Sequence, residues 1–165
     1  MMNPAAVILW VVLMQQDPKP SLEEFLRSFY KNMQSTVEEE QLKTVRSVFA
    51  TRKDLEILFP KDVETLWPLL DEVQQELEKH LAEVTKELQK GGAVTGVKAI
   101  NIRKDPEAET YKEVLAMIPK DIPAFDYVVT KEKGSSGGGT YLYVQNRWIF
   151  LRGLSGIPKF LKRQK

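Results

Sequence analysis

The sequence contains no cysteine and a single histidine, His80, among its 165 residues. Without cysteine, the chain can form no disulfide, thiolate nucleophile or cysteine-ligated metal centre. One histidine also excludes a histidine pair within the chain. His80 flanks the apolar stripe of a predicted helix, and we interpret it as a helix-boundary or surface residue. The alternative is a general base paired with a carboxylate, for which Glu76 stands one helical turn back.

The chain also lacks a large excess of charge of either sign, since its net charge is +1. This value gives no bulk attraction to nucleic acid or to anionic membranes, so we expect no nucleic-acid partner. The charge is nevertheless uneven. Residues 21–90 hold 15 acidic and 10 basic side chains, a net −5, whereas residues 91–165 hold 7 acidic and 13 basic, a net +6. We interpret this division as two halves that attract each other when packed.

No motif for catalysis, metal binding or phosphate binding is present. The glycine-rich segment 134–139 lacks the Gly-Lys-Ser/Thr sequence and the following helix of a phosphate-binding loop, so we predict a flexible connection. Glu38, Glu39 and Glu40 suit the solvated start of a helix, and the basic tail 159–165 suits a frayed terminus. We therefore predict no catalytic residue, no metal and no cofactor.

An apolar run, Ala5–Met14, precedes the first charged residue, Asp17. As a helix it would be about 15 Å long, half of a ~30 Å hydrocarbon core, so we predict no transmembrane span. Its length is typical of a signal peptide. We predict a signal peptide at 1–16, a single domain at 17–165, and export to the periplasm or outside the cell. No basic residue precedes the run, which leaves open a core-packed segment in a cytoplasmic protein.

The first half of the chain has the periodicity of helices. Ser21 and Glu24 predict a capping box before the first amphipathic helix, and Thr36 and Glu39 predict another before the second. Residues 55–59 form a short apolar piece that we interpret as an edge strand or a core-plugging turn. A long helix is predicted over residues 63–88, closed by the glycines at 91–92, with a kink at Pro68 if Asp62 is the cap.

The second half has the pattern of strands. We predict a strand over residues 94–103 with a bulge near Gly96, then a short helix beginning at Asp105-Pro106. Three further strands follow, at 125–130, 140–144 and 147–152, the last two joined by a tight turn at Gln145-Asn146. The order predicts an α+β fold in which N-terminal helices pack on a C-terminal curved antiparallel sheet.

The final hairpin carries a specific resemblance. The order of elements over residues 21–153, ending in Tyr-Leu-Tyr-Val-Gln-Asn-Arg-Trp-Ile-Phe with Asn146-Arg147-Trp148 after the turn, resembles the nuclear transport factor 2-like (cystatin-type cone) superfamily. The resemblance implies a pocket between the helices and the concave face of the sheet. The residues expected to bind a ligand there are Asp126, Tyr127, Tyr141, Tyr143 and Trp148. Strand alternation, however, places Asp126 on the face opposite Tyr127.

We hypothesise, from the leader, the aromatic hairpin and the lack of catalytic motifs, a non-enzymatic exported module that binds a small molecule or a protein. Two alternatives stay open. One is a small enzyme with a carboxylate base in a cone-shaped pocket, which requires a deep cavity holding at least two inward polar groups. The other is a structural homodimer built on the long helix or the hairpin.

Overall fold

Helices fill the N-terminal half of the chain and strands the C-terminal half, so the fold is α+β, as predicted. The computed structural model describes residues 18, 20–105 and 107–164, and the predicted signal peptide lies outside them. The helices are α1 (Leu22–Met33), α2 (Glu38–Ser47), α3 (Arg52–Leu58), α4 (Val63–Lys79), α5 (Leu81–Gln89), α6 (Lys112–Met117) and α7 (Ile157–Lys162). The strands are β1 (Val94–Asn101), β2 (Ala124–Lys131), β3 (Ser135–Gly137), β4 (Thr140–Val144) and β5 (Arg147–Leu151).

The strands form one antiparallel sheet in the order β1, β2, β4, β5. Strand β2 pairs with β1 along one edge and with two strands in succession along the other: its first residues pair with β4, and Val128–Thr130 pair with β3. The bulge predicted near Gly96 is confirmed, because the register between β1 and β2 shifts between Val94 and Gly96.

Helices cover both faces of the hairpin formed by β4 and β5. One face carries Tyr141, Tyr143, Trp148 and Phe150 and packs against α1, α2 and α5. The other carries Leu142, Val144, Ile149 and Leu151 and packs against α3, α6, α7 and the start of α4. Since both faces are buried, these strands read as nearly continuous apolar runs.

The outer strands are bonded to helices from the other half of the chain. In β1, the Ala99 amide donates a hydrogen bond to the Glu23 carboxylate of α1 at 3.1 Å. In β5, the Phe150 amide donates to the Val48 carbonyl at the end of α2 at 2.8 Å. Each outer strand is thereby tied to an N-terminal helix.

Lys131, at the end of β2, joins the sheet to α5. Its ammonium donates to the carbonyls of Leu88 and Lys90, both at 2.7 Å, where α5 ends. A cation is favourable beside the negative end of a helix dipole. Burial lowers the pKa of the Lys131 ammonium.

The capping box at Ser21 is confirmed and the one at Thr36 is wrong. The Ser21 amide donates to Glu24 at 2.9 Å, and the Glu24 amide to the Ser21 hydroxyl at 3.3 Å. Helix α2 instead begins after Val37, whose apolar side chain cannot accept a capping hydrogen bond. A box not predicted opens α3, where Thr51 and Asp54 bond reciprocally. The predicted edge strand at 55–59 is therefore the end of a helix.

The long helix is interrupted, contrary to the prediction. His80 ends α4 and precedes α5 with φ −103° and ψ 26°, outside helical geometry, so it lies at a helix boundary as interpreted. Helix α4 starts after Asp62, which places Pro68 inside it. Because proline has no amide hydrogen, one main-chain hydrogen bond is missing there.

Three further predictions were wrong in the second half. Residues 135–137 of the glycine-rich segment form strand β3 rather than a plain loop. The helix predicted from Asp105 begins later, with a 3₁₀ turn at Glu109–Tyr111 that leads into α6. The basic tail forms α7, whose Leu161 is buried in the core. The turn at Gln145-Asn146 is confirmed, with φ of 50° and 61°, the left-handed pair of a type I′ hairpin.

Candidate functional site

The structure divides the five residues expected to bind a ligand. Tyr127, Tyr141, Tyr143 and Trp148 share one face of the sheet, in ring contact as the pairs Tyr127–Tyr141 and Tyr143–Trp148. Asp126 lies on the opposite face, where it accepts a hydrogen bond from the Tyr111 hydroxyl at 3.3 Å. Their role in ligand binding stays a prediction.

Packing covers the aromatic face. Tyr141 is 3% exposed and Trp148 2%, beneath α1 and α2. The Trp148 indole donates to the Pro20 carbonyl at 2.9 Å, which fixes the chain where it enters α1. Trp148 and Tyr143 also border a cleft beside Phe25 and Phe49. In the described chain, Tyr141 thus belongs to the core, whereas Tyr143 and Trp148 also line that cleft.

Three tyrosine hydroxyls are gathered under α1. Burial raises the pKa of Tyr30, Tyr127 and Tyr141, and their mutual proximity raises the pKa of Tyr127 and Tyr141 further. Tyr30 and Tyr127 are joined by a side-chain hydrogen bond. A phenol with a raised pKa stays protonated at neutral pH, so this cluster holds no ready base.

Arg147 and Asp54 form an ion pair between the two halves of the chain. Arg147 donates to the Asp54 carboxylate, which is fully buried, and to the Phe49 carbonyl at 3.0 Å. The same carboxylate caps α3 through Thr51 at 2.6 Å. The arginine of the Asn-Arg-Trp sequence thus joins the hairpin to the corner between α2 and α3.

A different part of the molecule is hollow. An apolar groove of about 230 Å³ lies between α4 on one side and β5 and α7 on the other. Helix α4 contributes Leu66, Leu69, Leu70, Val73, Gln74 and Leu77. The facing wall contains Phe150, Leu151, Ile157 and Phe160, and Phe49 and Leu55 complete the lining. A cavity on the order of 150 Å³ already admits benzene, so this groove has room for a small organic molecule.

Gln74 is the buried polar residue of the groove. Its side chain is 9% exposed, and its Oε1 has no hydrogen-bond partner among the described residues. An unpaired buried polar group costs about 1–3 kcal/mol. The groove therefore presents one unmet acceptor in an apolar wall, an arrangement suited to orienting a ligand that donates a hydrogen bond.

The mouth of the groove is open and carries a cation. Arg152, Gly153 and Gly156 border it, and Arg152 is exposed. A Cβ added at Gly153 or Gly156 would meet no atom within 4 Å. The backbone here therefore leaves space that a ligand or a substituted side chain can occupy.

The sequence prediction missed this groove. The apolar residues of α4 were interpreted as one continuous packing stripe, whereas its middle part, including the 43% exposed Leu69, faces a gap. One signal was available. Gln74 interrupts the stripe, four residues after Leu70 and three before Leu77, where a packing helix favours an apolar residue.

Comparison of the chain with protein-family models, curated proteins and solved structures gives no match. The resemblance to nuclear transport factor 2-like proteins accordingly stays a prediction. Within the described ranges, no three acidic or histidine side chains are grouped to hold a metal ion. In the same part of the chain, no helix is both long and apolar enough to cross a membrane.

Proposed function

We propose that this chain is a non-enzymatic binding module that holds an apolar small molecule in the groove between α4 and α7. The unpartnered Gln74 oxygen is the observation that supports it. Leucine at this position would fill the stripe without an unmet polar atom, so the amide lowers stability where a ligand can offset the loss. A hydroxyl or amide N–H on the ligand would supply the missing donor.

The chemistry of the groove favours binding over catalysis. Catalysis in a pocket requires groups that transfer protons or attack the substrate, and the enzyme alternative needs at least two inward polar groups. The groove has one buried polar side chain, Gln74, and a carboxamide does not titrate near neutral pH. Its remaining buried walls are aliphatic or aromatic.

The test compares two neutral ligands that differ by one hydrogen-bond donor. Octanol and its isomer heptyl methyl ether, which lacks the donor, compete with the neutral dye Nile red for the full chain, and fluorescence reports displacement. We expect octanol to bind about fivefold more tightly, the value of one neutral hydrogen bond. In Gln74→Leu the preference should vanish, while the free energy of unfolding rises by about 1 kcal/mol.

Two substitutions to phenylalanine locate the binding. Gly156→Phe adds a ring at the mouth, where φ is −85° and an added Cβ meets no atom within 4 Å, and it should weaken dye binding about tenfold. Lys133→Phe adds the same ring to the exposed turn after β2 and should leave binding unchanged. The proposal is wrong if Gly156→Phe binds the dye like the native chain, or if the native chain binds none.

We further propose that the module acts outside the cytoplasm. The support is the apolar run at residues 5–14, whose length matches the core of a signal peptide. Mass spectrometry of the protein isolated from its natural source should find a chain that begins near residue 17. A chain that retains its first residues would contradict export by this route.

A further inference from the structure

We infer that the ligand of the groove is a single-chain amphiphile whose carboxylate lies at the mouth against Arg152. This inference rests on the proposed function and adds the charge and orientation of the ligand. The apolar body would lie along α4 and carry the hydroxyl or amide N–H that the Gln74 oxygen lacks as a donor, and the charged head would remain at the solvent-exposed end.

Charge complementarity favours an anion. Arg152 is the charged residue among the described groove residues, and none of the groove residues in that part of the chain is acidic. No hydrogen bond or ion pair connects the Arg152 guanidinium to another described residue. Its five N–H donors therefore have no acceptor among the described residues, and an anionic head group there would meet no carboxylate from the described lining of the groove.

The space around Arg152 suits a head group. Gly153 adopts φ 72° directly after it, which turns the chain from β5 toward α7, and Gly156 borders the same opening. Because neither glycine has a side chain and the space beyond each Cβ position is empty, a planar group can approach the guanidinium. The adjoining groove residues Ile157 and Phe160 are apolar.

The geometry of the cation selects a carboxylate. A guanidinium is planar and pairs with a carboxylate through two parallel hydrogen bonds, which fixes the orientation of the ligand as well as its charge. A cationic amphiphile would be repelled at this mouth. A neutral one would gain the apolar contacts alone.

The experiment compares three ligands that share an eight-carbon body: octanoate, methyl octanoate and octylammonium. Each is titrated into the full chain by calorimetry at low salt. We expect octanoate to bind about fivefold more tightly than the methyl ester, as an exposed ion pair allows, and octylammonium most weakly. The advantage of octanoate should shrink in about 1 M NaCl, where the screening length is about 3 Å.

Arg152→Gln supplies the matched variant. It keeps an exposed polar side chain without the charge, should remove the preference for octanoate, and should weaken the binding of octanoate more than that of methyl octanoate or Nile red. Arg163→Gln, on an exposed residue after α7 outside the groove, should change none of these affinities.

The outcomes separate the two proposals. If the ester and octanoate bind equally and Arg152→Gln changes neither, the carboxylate inference is wrong while the groove remains a binding site. If no ligand binds and the dye is also excluded, both proposals fail. If the native chain sediments as a dimer that Gly156→Phe converts to monomer, the occupant of the groove is a second copy of the chain, and the inference is overturned.

Discussion

At the scale of single residues, the contacts of Arg147 in the folded chain differ from what its sequence motif suggested. The Asn-Arg-Trp sequence was expected to contribute a ligand-binding tryptophan. In the fold, Arg147 binds the buried Asp54 carboxylate and the end of α2, and Trp148 binds the chain ahead of α1. Both side chains connect the hairpin to the helical half of the chain.

Asp54→Asn should destabilise the protein by about 2–3 kcal/mol, because it leaves the largely buried Arg147 guanidinium without its counter-charge. Chemical denaturation measures the loss. Arg52→Gln is the control, since Arg52 pairs with Glu64 on the surface and should change the free energy of unfolding by less than about 0.5 kcal/mol. Equal losses of unfolding free energy in the two variants would show that the buried pair stabilises the fold no more than the surface pair does.

The capping boxes show that the same residue spacing can form a helix cap at one position and fail to form it at another. Ser21 and Thr36 both precede a glutamate by three residues, yet the box forms at Ser21 and fails at Thr36. Near Thr36, the Ser35 hydroxyl competes by accepting the Val37 amide at 3.2 Å. The box at Thr51 was missed because its acid is Asp54 and because the apolar residues after it suggested a strand.

At the scale of elements, the main helices and strands have the predicted type and several of their boundaries differ, whereas residues 55–59, the glycine-rich segment and the basic tail were predicted with the wrong type. The tight hairpin was predictable, since its two strands are apolar and Gln145-Asn146 is a short polar interruption. The break at His80 was not, because Leu77 and Leu81 keep helical spacing across it. Strand β3 was hidden for a different reason: its Ser-Ser-Gly sequence has little strand propensity, and pairing with β2 alone defines it.

The glycines between β3 and β4 provide a test at this scale. Gly139 has φ 128°, and a Cβ there would lie 2.3 Å from the Phe150 ring, whereas a Cβ on Gly138, with φ 107°, would meet nothing within 4 Å. Both alanine substitutions strain the backbone by about 1 kcal/mol. Gly139→Ala should lose roughly 1–3 kcal/mol more through the clash.

Thermal unfolding of the two variants measures that difference. A Gly138→Ala protein as unstable as Gly139→Ala would mean that the Phe150 ring moves aside at no cost. Because Phe150 also lines the groove, Nile red binding by Gly139→Ala would then report the displacement.

At the scale of the whole molecule, the predicted fold class is confirmed, whereas the groove was not predicted. Helical and strand periodicities place the α+β boundary at the glycines of residues 91–92. The position of the groove depends on how α4 lies over β5 and α7, a relation among elements far apart in the sequence. Such relations leave no local pattern beyond the one glutamine in the stripe.

The tyrosine cluster predicts alkaline sensitivity of the entire fold. Burial raises the folded-state pKa of Tyr30, Tyr127 and Tyr141 above the unfolded value of about 10. The stabilisation is therefore complete below about pH 10 and declines above it, because only the unfolded chain ionises freely there. Urea unfolding from about pH 8 to about pH 11 should show falling stability.

Tyr127→Phe tests this assignment. The variant should be about 1 kcal/mol less stable at neutral pH, since Tyr30 loses a hydrogen bond, but its decline above about pH 10 should be shallower. Buried Lys131, whose pKa is lowered, acts in the opposite sense and is common to both proteins. Tyr111→Phe, outside the cluster, should decline as steeply as the native chain. Parallel curves for all three proteins would contradict the assignment.

The bonds at the two outer strands have a consequence for self-association. An unpaired strand edge is a template for joining other chains into aggregates. Here the Glu23 carboxylate accepts a hydrogen bond from an edge amide of β1, and the Val48 carbonyl accepts one from an edge amide of β5. Both Glu23 and Val48 precede in the chain the strands that they protect. The ribosome therefore synthesises each acceptor before the strand edge to which it bonds. A fragment that begins at residue 91 would lack both, and we expect it to form insoluble fibres or amorphous precipitate where the full chain stays dispersed.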